Sequence, residues 1–262
     1  MLSVLSTGMG IKLFTAEGNM ERIMPNVGKS ARMIMTIYAG YAIVGTILYV
    51  IAGIPMFEAI NQSMAAVSTG GFSTLSDGIA PYENNMVYVV TVALMFLGSL
   101  GFGTHILLLR GHFKRFFKLS EVRFFVLLIG IAIVLLTLFG LNQHYNTIGE
   151  GLRISFFQAI SVISSTGFNI MPVEEMPSFS ILVIVLLMLI RGCIGATSGG
   201  VKVYRVLIMA KKGLWNISRY LKPERMVNEN YFWRPEGKVY INHKLVSKSA
   251  SYIFAFMTFY FI

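Results

Sequence analysis

Ser68-Thr69-Gly70-Gly71-Phe72 and, 96 residues further on, Ser164-Ser165-Thr166-Gly167-Phe168 are two copies of one short pattern. With Gly71-Phe72 set on Gly167-Phe168, Gln62 meets Gln158, Ser68 meets Ser164, Thr69 meets Ser165 and Ser73 meets Asn169. A repeat at a fixed offset is the signature of a duplicated structural unit. Before each copy runs a moderately apolar stretch, residues 55–68 and 151–164. Either is too short to cross a bilayer, which takes ~20 residues, but suits a half-helix that enters the membrane and turns back. Pro55 fits the first helical position, where its missing N–H costs nothing.

Long apolar blocks flank these stretches at 33–53, 86–109, 124–141 and 178–190, the last continuing to about 209, and a further run occupies 246–262. The chain is 55% hydrophobic and only 13% charged, against about 25% charged in soluble domains. Lipid is therefore the expected solvent. No basic stretch followed by a short apolar core opens the chain as a cleavable signal would. The expected architecture is an all-α integral membrane protein of span, re-entrant loop, span units, with both copies pointing the same way through the bilayer.

The net charge of +10 raises nucleic acid as a partner, but its distribution argues for topology instead. Segments 10–32, 110–123 and 202–248 hold 4, 5 and 11 Lys+Arg against 2, 1 and 3 acids, whereas 54–85 and 142–180 hold 0 and 1 against 3 and 3. The two sets alternate span by span. That is the positive-inside pattern, and it puts the basic segments in the cytoplasm. The single cysteine, Cys193, cannot form an internal disulfide, and His105, His112, His144 and His243 are too scattered for a metal motif.

Non-helical backbone at membrane depth survives only where protein or water satisfies its polar groups. A re-entrant loop thus implies an ion path or aqueous cavity. Each half-helix would deliver its negative dipole end, roughly half an elementary charge, near the midplane, where a cation is favoured. Glycine lets successive carbonyls turn to one side, and rings of such carbonyls replace the hydration shell of potassium. The small hydroxyl residues keep the lumen open, and the Phe of each copy can wedge its loop against neighbouring helices. One copy alone would read as a helix C-cap glycine before an ordinary outer loop; two copies in the same setting argue for an ion site. Ser68, Thr69, Gly70, Gly71, Phe72, Ser164, Ser165, Thr166, Gly167 and Phe168 are its candidate residues.

The block after residue 178 is interrupted by Arg191-Gly192-Cys193-Ile194-Gly195-Ala196-Thr197-Ser198-Gly199-Gly200. Each glycine costs a helix about 1 kcal/mol relative to Ala, so an irregular stretch is expected on the cytoplasmic side of the midplane. It is a candidate gate below the ion site; the competing reading is a packing surface for a neighbouring helix, which residues 98–103 are taken to illustrate. Arg191 is the one basic residue inside an apolar block, and at a cost of ~2.5–3.5 kcal/mol at the bilayer centre it should face protein or water.

The motifs STGGFST (68–74), SSTGFN (164–169) and RGCIGATSGGVKVYR (191–205) together resemble the Trk/Ktr/HKT superfamily of potassium transporters, closest to its bacterial TrkH-type membrane subunits. The resemblance covers nearly the whole chain. It implies four span-loop-span units around one pore, usually two subunits side by side, and a cytoplasmic nucleotide-binding regulatory ring of the TrkA/KtrA type. Potassium is the implied transported ion, with sodium or protons coupled in some members, and no bound cofactor is expected. Carried over, Gly71 and Gly167 match the filter glycines of the second and third units, and 192–200 matches the third unit's gate loop. The chain departs from the family at Ala196-Thr197-Ser198, where Ser-Thr-Gly is usual, and at Arg191, where a small residue is common.

On this reading 1–32 is the tail of a first unit plus a cytoplasmic linker, with 1–10 the end of its last span. Residues 33–110 are the second unit, 111–210 the third, and 211–262 a linker and the first span of a fourth, so that the chain is expected to be part of a longer, multi-pass protein of the inner membrane. Two other classes of membrane protein fit the sequence less well. A membrane enzyme would need convergent ionisable pairs, which the apolar blocks lack. An inverted-repeat secondary transporter for another cation or small solute also uses broken helices, but the parallel relation of the two copies disfavours it.

Overall fold

The computed structural model describes residues 27–75, 78–82, 84–144, 148–171, 176–220, 230–235 and 237–261. The expected end of a preceding span at 1–10, and the linker as far as residue 26, lie outside them. Helix α1 spans Val27–Ile51. Between residues 31 and 51 one side of it exposes apolar side chains, among them Ile43, Val44, Ile47 and Ile51, as suits lipid contact, while Ile37 and Tyr49 are buried. A tight turn follows, in which Gly53 takes a φ of 93° and the Ile54 N–H bonds the Tyr49 carbonyl at 3.0 Å.

That turn sends the chain into a half-helix, α2, Met56–Val67, only 12 residues long. Pro55 stands just outside it as the N-cap rather than at the first helical position. Since lipid tails are as apolar as a leucine, helices in a membrane associate through close packing and polar contacts rather than hydrophobic exclusion. The α1–α2 crossing follows this rule. The Ser63 hydroxyl donates to the Ala42 carbonyl at 2.6 Å, and a Cβ on Gly45 would come within 2.5 Å of the Ser63 oxygen.

After a 3-10 turn at Ala80–Tyr82, helix α3 (Asn85–Gly98) begins with Asn84 as its cap, the side-chain oxygen accepting the Met86 N–H at 2.9 Å. Here the structure corrects the sequence reading. Residues 86–109 are not one continuous helix: α3 stops at Gly98, α4 (Phe102–Leu109) starts after Gly101, and the two axes differ by 116°. Residues 98–103 do pack closely, as expected, yet they do so while breaking the helix.

A single turn, α5 (Phe113–Phe116), leads to α6, Ser120–His144, whose residues 120–139 are long and apolar enough to cross a membrane, as are residues 31–51 of α1. The second half-helix, α7, runs Ile148–Ile163 and starts three residues before the expected position 151. Helix α8, Ser178–Leu189, is 12 residues long and ends at the predicted interruption. There the chain forms β1 (Ile190–Arg191), loops out, and returns as β2 (Val201–Lys202), which pairs with β1 in parallel, Ile190 opposite Val201 and Arg191 opposite Lys202. Helix α9, Val203–Tyr220, continues from β2. Of four expected full spans, two are unbroken helices, one is sharply bent, and one is split by this clasp.

A hairpin follows, β3 (Tyr231–Arg234) with β4 (Gly237–Tyr240), and then α10, His243–Phe261. The all-α expectation thus holds apart from two small sheets of two strands each. The Lys211 ammonium, whose pKa is lowered by burial, holds the hairpin to α9 through the Tyr231 carbonyl at 2.8 Å. The main core unites both units, with Tyr49, Met95, Leu100, Phe125, Phe157 and Phe168 in one buried cluster. Between the units, the Tyr88 and Phe157 rings meet edge to face at 6.0 Å, and Arg153 bonds Asn85 at 2.8 Å.

Candidate functional site

Both half-helices end alike. α2 closes at Val67 and α7 at Ile163. Thr69 and Ser165 then take φ of 54° and 63°, and Gly71 and Gly167 take 67° and 82°. Left-handed backbone costs an ordinary L-residue roughly 1–2 kcal/mol, and for a β-branched Thr it is an outlier. Its occurrence at the same two steps of both copies, separated by one residue outside that region, is a shared backbone design. Alternating hand turns successive carbonyls to one side. The Thr69 hydroxyl helps hold its own strained position by donating to the Ser68 carbonyl at 2.7 Å.

A second repeated feature braces the loops. Gln62, inside α2, donates through Nε2 to the Ser73 hydroxyl at 2.6 Å, and its counterpart Gln158, inside α7, donates to the Asn169 side-chain oxygen at 3.3 Å. Each glutamine therefore ties its half-helix to the chain that leaves its loop. Ser68 and Ser164 repeat as well, their hydroxyls reaching back to the carbonyls of Ala65 at 3.4 Å and Ser161 at 3.0 Å. The second loop is tied more tightly, because Ser161 donates to the Phe168 carbonyl at 2.6 Å and the Ser164 and Thr166 hydroxyls meet at 2.8 Å.

The two loops also touch. A Cβ placed on Gly71 would fall 1.7 Å from the Thr166 carbonyl oxygen, so only glycine fits there, whereas one on Gly167 would meet open space. The phenylalanines divide. Phe168 is buried and wedges its loop as expected, but Phe72 is 82% exposed and wedges nothing within the described residues.

The glycine-rich loop 192–200 lies directly against the ends of both half-helices. The Gly192 N–H bonds the Ile163 carbonyl at 3.0 Å, the last residue of α7, and the Cys193 N–H bonds the Ser99 carbonyl at 2.9 Å, in the break between α3 and α4. The Thr197 hydroxyl sits 3.0 Å from the Thr69 hydroxyl and 3.0 Å from the Gly98 carbonyl, where α3 ends. The two helix breaks therefore pack on each other. A Cβ on Gly101 would come within 2.2 Å of the Ile194 carbonyl oxygen, and one on Gly98 within 2.5 Å of the Val67 carbonyl oxygen. Positive φ at Gly192, Gly195 and Gly200 shapes the loop. Ala196 and Gly199 lie between these contacts, the latter exposed, while Ser198 is buried.

Lys202, just past the loop, donates to the carbonyls of Ala196 and Ser198, so an ammonium caps the loop from within. Arg191, at the other end, turns its Nε to the Met188 carbonyl at 2.6 Å and lines its stem along Gly200. Sequence reasoning missed Glu121, whose carboxylate accepts the Ile194 N–H at 2.7 Å. Its one signal was its place as the sole acid in a basic segment at the edge of an apolar block.

A family model described as TrkH, cation transport protein, matches residues 15–262. Among similar curated proteins, an uncharacterized cation transporter of Methanocaldococcus jannaschii is 31% identical over 218 residues, 82% of this chain and 43% of its own length. The Trk system potassium uptake protein TrkG of Escherichia coli is 30% identical over 237 residues, 88% of this chain and 48% of its own. The chain spans about half the length of the curated relatives it matches. The crystal structure of the potassium transporter TrkH from Vibrio parahaemolyticus superposes with a TM-score of 0.79 at 22% identity, covering 95% of this chain and 52% of that one, which establishes the shared fold.

Proposed function

The chain belongs to the TrkH family of cation transport proteins, and on that premise we propose that it lines a pore for potassium uptake across the cytoplasmic membrane. The observation that carries this reading is the repeated loop geometry, with left-handed backbone at 69 and 71 and again at 165 and 167. Two half-helices aim their negative ends at these loops, and both features favour a desolvated cation. Relatives that carry the name Trk system potassium uptake protein supply the choice of ion. On this reading 68–72 and 164–168 form two quarters of a selectivity filter, and the remaining quarters come from span-loop-span units beyond these residues.

The loop 192–200 acts as the gate, since it crosses beneath both half-helices and binds Thr69 through Thr197. Two such subunits side by side and a cytoplasmic nucleotide-binding ring complete the assembly, and sodium or protons are the candidate coupling ions. No resident cofactor and no nucleic acid enter the scheme. The test is rubidium uptake by the protein expressed from its complete gene, with and without a sodium gradient, alongside a variant lacking residues 193–199. Uptake that favours potassium and rubidium over sodium, and rises in the deletion, supports the proposal. A deletion with unchanged or lower uptake at normal abundance refutes the gate, and a protein that moves no potassium refutes the whole.

A further inference from the structure

We propose that Glu121 is the latch of the loop 192–200, a positioning residue that holds the loop in its closed place through the Ile194 N–H. The inference rests on the reading of this loop as a gate. Glu121 lies in the first turn of α6, and its Oε1 accepts from the Ile194 backbone at 2.7 Å. A carboxylate acceptor makes about twice as strong a hydrogen bond as a neutral one.

Two further contacts converge on Ile194, and a third ties the same hairpin to α6. Its carbonyl lies so near Gly101 that a Cβ there would approach to 2.2 Å. Its side chain is buried in a cluster with Tyr204, Ile208 and Phe232, the last on the hairpin strand β3. The neighbouring Trp233 N–H donates to the Ser120 hydroxyl at 3.0 Å. Ser120 and Glu121, adjacent in sequence, thus hold the hairpin and the loop respectively. Ile194 is held through its own N–H, carbonyl and side chain, between the positive-φ glycines 192 and 195.

The reporter is already in place, since Cys193, next to Ile194, is buried. The rate at which a membrane-permeant maleimide modifies Cys193 is measured by peptide mass spectrometry, per molecule in the membrane fraction, for Glu121→Ala, Glu121→Asp and Glu121→Gln. Rubidium uptake is measured in parallel. Ala removes the acceptor, Asp keeps the charge but withdraws it by one methylene, and Gln keeps an acceptor oxygen at full reach without the charge. Ala and Asp should label Cys193 about tenfold faster and raise uptake about tenfold, as expected for a lost hydrogen bond to a charged group, with the potassium over sodium preference unchanged. Gln, with a weaker neutral acceptor at the same reach, should fall between wild type and Asp in both. The Asp variant decides the matter if Ala fails to accumulate. Unchanged labelling in Asp, or Gln labelling as fast as Asp, overturns the latch. Faster labelling with unchanged uptake supports the latch and overturns the gate reading instead.

Discussion

The closest approach of the two loops sets up an asymmetric pair of substitutions, Gly71→Ala and Gly167→Ala. Both glycines have left-handed φ, 67° and 82°, so each alanine meets a backbone cost of roughly 1–2 kcal/mol. There the likeness ends. The new methyl at 167 finds nothing within 4 Å, while the one at 71 lands 1.7 Å from the Thr166 carbonyl oxygen and 2.8 Å from its carbon. Separation to the 3.0 Å floor for real Cβ contacts requires a shift of about 1.3 Å (3.0 less 1.7) in backbone on one or both loops. No rotamer change relieves it, since neither partner is the far end of a side chain. A shift of that size moves carbonyls of both copies at once. Gly71→Ala should therefore cut potassium over sodium preference by at least about tenfold, ~1.4 kcal/mol, and Gly167→Ala by distinctly less. The assay is rubidium uptake against rising sodium in membrane vesicles, with abundance checked by immunoblot. Equal losses in the two variants, or a greater loss in Gly167→Ala, would refute the steric argument.

Other outcomes follow from neighbouring contacts. Gln62→Ala removes the 2.6 Å brace to Ser73 and should lower stability by about 1–2 kcal/mol, read as a fall in the thermal midpoint of purified protein. Gln158→Ala, with its longer 3.3 Å contact, should cost less. Thr197→Val keeps the shape but loses the hydroxyl that meets Thr69 and the Gly98 carbonyl; faster rubidium uptake at unchanged ion preference is expected, and slower uptake would count against a closed-state role for that contact. Phe168→Ala empties a fully buried aromatic site and should destabilise by about 3–5 kcal/mol, visible as reduced abundance and a lower thermal midpoint.

What the sequence determined by itself was local. The offset of 96 residues, the two half-helices, and the break after Arg191 are set by apolar run length, repeat spacing and glycine density, and these act within a short window of chain. The strained steps at 69 and 165 recur with the repeat, though no feature of the sequence announces left-handed backbone at a Thr or a Ser. The tertiary structure alone decided what those pieces touch. Nothing in the run 86–109 announces a bend of 116°, since the same glycines could as well have lined a straight helix. The bend is set by the close seating of Gly98 and Gly101 against Val67 and Ile194. Glu121 meets its partner across 73 residues and Thr69 across 128. Phe72 and Phe168 have equivalent places in the repeat, yet one is exposed and the other buried. Spacing says which residues are alike; it cannot say which of two like residues finds a neighbour, because that depends on how separate elements approach in space.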